Sequence, residues 1–281
     1  MEIPFSIRYN NVKLKVERLY KTSTRSSKRL FSGLEDISFI LRGGECIHLK
    51  SPVPWANQLL LETLTGHTQI EAGAIWVNHQ DEWLNLSQLS QRRTNQVHTQ
   101  TIGYLQPPND ILRAYPTVLD CVLTNFLSLG LLRRQADAQS RHILDWVGLP
   151  RRLWYKAPTE LSLAELQQVN LARTFAVDYS IIVIGLPISQ LTPDNQAKLV
   201  ELIEHRKAQG TSFIGRFDQS HARKRVCDRS LDIHVPTPIS AAARKPRPAA
   251  ASYGNNSAPS THRQPRRSMG AAASNIAARS Y

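Results

Sequence analysis

Alternation of apolar and charged side chains marks the start of the chain. Asn11 to Tyr20, NVKLKVERLY, has the two-residue period of a half-exposed strand, and Leu34 to Leu41 reads as its antiparallel neighbour. A short apolar strand, Glu45 to Leu49, follows the Gly43-Gly44 turn. The period then changes. Leu59, Leu60 and Leu64 fall on one helical face, and Gly66 is placed to end that helix in the left-handed conformation glycine adopts without steric cost. Thr101 to Leu105 predicts a strand, and Thr117 to Leu129 a helix. Asp137 to Val147 predicts another, with Ile143, Leu144 and Val147 on one face and Gly148 and Pro150 as its stop. Leu163 to Phe175 is a long helix leading into Ile181 to Ile184, an apolar run of strand length. Pro193 to Ala208 carries Ala197, Val200 and Ile203 at helical spacing, Asp194 in its first turn and Gly210 at its end; Thr211 to Phe217 follows as a strand. Strands that alternate with helices of this length predict a mostly parallel sheet flanked by helices, with an antiparallel β layer at the N-terminus. No internal repeat is present.

Composition limits what these elements can build. With 281 residues, 41% hydrophobic and 20% charged, the chain can bury one sizeable core and still carry a subdomain and a tail. From Pro236 onward the sequence is rich in Ala, Ser, Pro and Arg and nearly free of large apolar residues, which predicts a disordered tail over 236–281 after a folded region at 1–235. The formal charge of +13 is uneven: no acidic residue follows Asp232, while Arg244, Lys245, Arg247, Arg263, Arg266, Arg267 and Arg279 do. No apolar run approaches the roughly 20 residues of a membrane span. Met1-Glu2-Ile3-Pro4 has neither the basic nor the apolar part of a signal peptide, so the expected place is the cytoplasm, peripheral to the inner membrane through partners. Cys46, Cys121 and Cys227 are isolated in sequence and read as reduced, mostly buried thiols, with no metal site expected. The nine histidines show no paired spacing, and the five tryptophans read as packing residues.

Taken in order, the segments resemble the nucleotide-binding subunit of an ATP-binding-cassette (ABC) ATPase. LRGGECIHLKSP (Leu41 to Pro52) is similar to the strand and turn before the family's phosphate loop, and TIGYLQP (Thr101 to Pro107) to the approach to its glutamine loop. LSLAELQQVNLARTFAVDYSIIVIGLP (Leu161 to Pro187) is similar to the run from the signature motif through a helix to the Walker B strand. The resemblance covers Val12 to Val235. It implies an α/β fold of the P-loop NTPase type, an ABC nucleotide-binding domain with a helical subdomain at about 107–165. Four phrases, DEWLNL (Asp81 to Leu86), RRLWYKAPTELS (Arg151 to Ser162), VDYSII (Val177 to Ile182) and KAQGTSFIGRF (Lys207 to Phe217), resemble more narrowly the ABC-type subunit of the bacterial phosphonate carbon-phosphorus lyase system.

Under that resemblance the chemistry can be read position by position. A phosphate loop of the form G-x-x-x-x-G-K-[ST] uses glycines for close backbone approach, lysine for the β/γ charge and a hydroxyl for magnesium. The matching positions hold Ser51, Ala56, Asn57 and Gln58, and Pro52 and Pro54 each remove a backbone donor. Gly185 and Leu186 stand where the Walker B strand places an aspartate for magnesium and a glutamate for the attacking water. The signature reads Leu161-Ser162-Leu163-Ala164-Glu165, in which Ser162 and Glu165 also suit an N-cap and a first-turn acid. Gln106 or Pro107 occupies the glutamine-loop position, Thr192 the D-loop position and Asp218 the switch-histidine position.

Substitution at every one of these stations leads to the expectation of a pseudo-ATPase. Such a chain is not an enzyme, takes no cofactor, and serves as a non-hydrolysing binding or scaffold subunit. Its expected partners are an active ABC ATPase or a lyase-type enzyme complex in phosphonate metabolism. The alternative is a functional ATP-binding subunit, using ATP and magnesium, of a phosphonate system or an ABC transporter. A further alternative is a binder of nucleic acid or anionic membranes through the basic tail, which lacks any reading motif.

Overall fold

The structure, a computed structural model, describes residues 11–23, 30–31, 33–66, 68–108, 110–235 and 239–240. Apart from Ile239–Ser240, the expected disordered tail lies outside these residues.

Strand β1 (Val12–Thr22) realises the alternation of NVKLKVERLY: Val12, Leu14 and Val16 are buried while Lys13, Lys15 and Glu17 are half-exposed. It lies inside a four-stranded antiparallel sheet ordered β3 (Gly33–Arg42), β1, β5 (Ala72–His79) and β6 (Glu82–Asn85). Leu14 pairs with Leu41 and Val77, and Val16 with Phe39 and Ile75. The register slips at Arg18, whose φ of 44° marks a bulge. One extra residue shifts the phase, so Leu19 and Lys21 turn inward where strict alternation would expose them. Strand β5 passes this bulge at Gly73, with φ of 93°, where a Cβ would lie 2.4 Å from the Arg18 carbonyl oxygen. The short β2 (Leu30–Phe31) pairs antiparallel with β11 (Ile239–Ser240).

The second sheet has five parallel strands in the order β10 (Arg229–Asp232), β4 (Cys46–Lys50), β9 (Ser212–Gly215), β8 (Ile181–Ile184) and β7 (Ile102–Leu105). The unbroken apolar run of β8 follows from burial on both faces. Ile181 and Val183, with Ile47, Leu49 and Ile214, pack on Leu60, Leu61 and Leu64 of α1 (Pro54–Leu64) and on the antiparallel sheet. Ile182, Ile184 and Phe213 face α6 (Leu163–Phe175) and α7 (Pro193–Ala208). Each leucine of α1 that leaves water contributes roughly 1.5–3 kcal/mol, which lets this helix form although Val53 gives it no side-chain cap.

The remaining helices are α2 (Gln91–Gln100), α3 (Asp110–Arg113), α4 (Val118–Ser128), α5 (Arg133–Trp146) and α8 (Ser220–Val226). Helices α3 to α5 occupy the connection between β7 and α6, and α4 and α5 share the apolar cluster of α6 through Val122, Phe126 and Leu144. Among the described residues no helix is long and apolar enough to cross a membrane.

Candidate functional site

Ligands of open parallel sheets bind beyond the carboxyl ends of the strands, and this fold gathers most of the sequence-predicted positions there. Strand β4 runs into the Ser51–Gln58 loop and α1, β7 into Gln106, β8 into Gly185 and Leu186, and β9 into Arg216, Phe217 and Asp218. Of the signature positions, Leu161 precedes α6, Ser162 caps it and Leu163 to Glu165 form its first turn.

In the loop, Ser51 Oγ accepts from the Val53 N–H at 3.3 Å, and Pro54 opens α1. Ala56 is fully buried. Asn57, at the lysine position, is 4% exposed, and its Oδ1 has no hydrogen-bond partner. Among the described residues only Arg173 Nε shares that condition, so one of two orphaned buried side-chain polar atoms sits where a phosphate-binding cation is expected.

Gln58, at the hydroxyl position, turns away from the loop. Its Nε2 donates to Glu62 Oε1 at 2.8 Å and to the Tyr104 hydroxyl at 3.2 Å. The Tyr104 ring in turn lies over Gly185, where a Cβ would meet ring atom Cε2 at 2.4 Å. Burial raises the Tyr104 phenol, so the group bridging these positions is neutral at physiological pH. Leu186, the second Walker B position, is 2% exposed and points into the apolar cluster with α6 and α7. The residues at the magnesium positions are thus an amide and a glycine under an aromatic ring, and a buried leucine stands at the position for the attacking water.

The other stations are tied together by polar contacts. Asp218 accepts from the Ser189 N–H at 3.0 Å and from the Ser189 hydroxyl, joining the switch position to the loop after β8. Thr192 N–H donates to Gln167 Oε1 at 3.1 Å, and the same oxygen accepts from Asn195 Nδ2 at 3.0 Å. Ser162 and Glu165 make a reciprocal cap: Ser162 N–H donates to Glu165 Oε2 at 2.8 Å, and Glu165 N–H to Ser162 Oγ at 3.4 Å. The Ser162 hydroxyl, which donates to Glu165 Oε2 at 2.7 Å, and after it the Ser162 N–H hold the Glu165 carboxyl below its ordinary range. Leu163, 64% exposed beside them, leaves an apolar side chain on the surface. The Gln106 carbonyl accepts from Asn170 Nδ2 at 2.7 Å.

Two residues of the site were not singled out by sequence reasoning. Tyr104 was read only as part of a strand; the signal available was Gly185 itself, since a glycine on a buried strand end leaves room for an aromatic neighbour. His48 on β4 accepts the Phe217 N–H at Nδ1, 3.1 Å, fixing the β9 exit to β4. Burial first, then Arg223 and Arg216, lowers its pKa.

A helix N-terminus without a side-chain cap suits an anion, because backbone N–H groups and the helix dipole face it. The side chains at the magnesium positions do not fit a metal held by this chain: Gln58 is engaged and Gly185 is covered. Among the described residues no cluster of His, Cys, Asp and Glu is arranged to hold a metal.

An antiparallel layer, a five-stranded parallel sheet with helices on both faces and helices α3 to α5 inserted after β7 make up the fold of an ABC nucleotide-binding domain. The dimeric ATP-binding cassette MJ0796, solved in a post-hydrolysis state bound to ADP and Pi, matches it with a TM-score of 0.67 at 15% identity, over 78% of this chain and 94% of that one. In sequence the chain is similar to the lipoprotein-releasing system ATP-binding protein LolD of Saccharophagus degradans, 29% identical over 182 residues, 64% of this chain and 77% of LolD. It is also similar to the energy-coupling factor transporter ATP-binding protein EcfA2 of Leuconostoc mesenteroides, 24% identical over 201 residues, 72% of this chain and 69% of EcfA2. No protein-family model matches the chain.

These relatives correct two expectations. The chain was expected not to be an enzyme and to take no cofactor, yet over most of its length it is similar to proteins named for binding ATP. The substitutions at the motif stations stand inside a sequence that these relatives share. The chain has the fold of an ABC nucleotide-binding domain and is similar in sequence to proteins named for binding ATP.

Proposed function

We propose that this chain is the ATP-binding subunit of an ABC-type complex, working beside a membrane-embedded partner and a second cassette. The observation that carries the proposal is the continuous similarity to LolD, which spans 77% of that protein and is joined here to the full ABC fold. The nucleotide's place is the carboxyl end of the parallel sheet, with phosphate at the start of α1 beside Asn57. Ser162 and Leu163 present the α6 end to the second cassette.

The names of the relatives favour a transporter of the lipoprotein-releasing or energy-coupling kind. The four phrases similar to the carbon-phosphorus lyase subunit favour a phosphonate-linked complex. Purification with the products of neighbouring genes would discriminate these two settings.

The test is titration with a fluorescent ATP analogue, with and without magnesium, beside LolD as the control. Saturable binding in the micromolar range that excess ATP displaces supports the proposal. Absence of binding at millimolar nucleotide, with LolD binding normally, overturns it.

A further inference from the structure

Cys46 and Cys227, 181 positions apart in the chain and read from sequence as isolated thiols, meet in the fold. Their sulfurs lie 3.6 Å apart, and neither is in a disulfide. The backbone around both is held in place. Cys46 N–H donates to Asp228 Oδ2 at 2.7 Å, and the Cys46 carbonyl accepts the Asp228 N–H at 2.9 Å. From the next residue onward the two segments pair as parallel strands, Arg229 with Ile47. Lys207 Nζ donates to Asp228 Oδ2 and to the Val226 carbonyl, both at 2.7 Å, so the residues on either side of Cys227 are anchored.

The two thiols differ in access. Cys46 is fully buried in the α6/α7 cluster, whereas Cys227 is half-exposed. The third, Cys121, is fully buried on α4, where burial pushes its thiol up to about 12; its sulfur donates to the Leu112 and Thr117 carbonyls. The chain therefore holds one accessible thiol in contact with a second, and a third thiol apart from them.

We propose that Cys46 and Cys227 form an oxidation site, at which a small-molecule disulfide converts the facing thiols into an intramolecular disulfide. The Cys227 thiolate attacks one sulfur of the small disulfide; that S–S bond breaks and one small thiolate leaves, giving a mixed disulfide on Cys227. Cys46 attacks the Cys227 sulfur, and the second small thiolate departs, taking up the Cys46 proton. The two protein thiols lose two electrons and two protons in total, and the small disulfide is reduced to two thiols. The new bond closes the chain from the strand that feeds the Ser51–Gln58 loop to the turn before β10. It restricts the unfolded chain over most of the described residues while leaving the loop at the other end of β4 free.

The experiment incubates the full chain with oxidised glutathione and follows intact mass, disulfide-linked peptides and thermal unfolding. The expected result is a loss of about 2 Da, one linked peptide pair containing Cys46 and Cys227, and an unfolding midpoint raised by several degrees and restored by reductant. Cys227→Ser abolishes all three changes, and Cys121→Ser preserves them. A stable glutathione adduct on Cys227 without the linked peptide overturns the proposal. So does a link through Cys121, or an unchanged mass under conditions in which an unfolded control is oxidised.

Discussion

At the scale of single residues, the site is organised around a neutral aromatic side chain. Tyr104 lies between Gln58 and Gly185, touching one by a hydrogen bond and the other by close packing. Gly185 tolerates no side chain while the ring is there. Gly185→Ala is therefore expected to destabilise the protein by about 1–3 kcal/mol, the usual cost of overpacking, in urea unfolding. The same substitution in a Tyr104→Ala background should cost much less, because the ring it collides with is gone. Equal costs in the two backgrounds would show that the contact is not what excludes a side chain at 185. Asn57 makes the complementary point. Its buried Oδ1 has no partner, which is costly, and as an acceptor it is relieved by a donor rather than by the acceptor oxygens of a phosphate.

Among the secondary-structure elements, some were legible in the sequence and others were not, for identifiable reasons. Strand β8 was visible because both of its faces are buried, and α1 because three leucines mark one side and Gly66 marks its end. The β5–β6 hairpin left no signal. Gln80 and Asp81 take its turn at φ of 51° and 66°, a conformation usually announced by Asn-Gly, and the Asn78 side chain supports it by accepting the Asp81 N–H. Helix α2, QRRTNQVHTQ, buries only Val97 and so shows no apolar period. The alternation of β1 was read correctly up to Val16 and then shifted by the bulge at Arg18.

His48 links elements in a pH-dependent way. Its Nδ1 accepts the Phe217 N–H only when neutral, and burial with Arg223 and Arg216 nearby depresses its folded pKa below the unfolded value. A depressed histidine contributes stability that is complete above the unfolded pKa, near 6.5, and is lost as pH falls toward the folded pKa. Stability should therefore decline from pH 7 to pH 5.5, and His48→Gln should flatten that decline in chemical denaturation. An unchanged slope in the variant would assign the decline to other groups.

At the scale of the whole molecule, the order of strands and helices carried more information than any one motif. The fold could be read from segments spread over Val12 to Val235 because parallel-sheet strands and their covering helices announce themselves repeatedly. The candidate site was less legible. Tyr104, His48 and the Cys46–Cys227 contact depend on residues brought together from distant strands. The expectation of inactivity arose from substitutions at all the motif stations taken together. Similarity to named ATP-binding proteins over 64–72% of the chain outweighs it.

A ligand that binds only the folded state raises the unfolding midpoint, and at a hundredfold excess over its dissociation constant it adds about 2.7 kcal/mol. The most direct measurement is thermal unfolding of the full chain with and without saturating ATP and magnesium. An ATP-binding subunit should unfold roughly 5–10 °C higher with nucleotide present. A midpoint that ATP leaves unchanged, in a preparation whose unfolding is cooperative, would contradict the assignment.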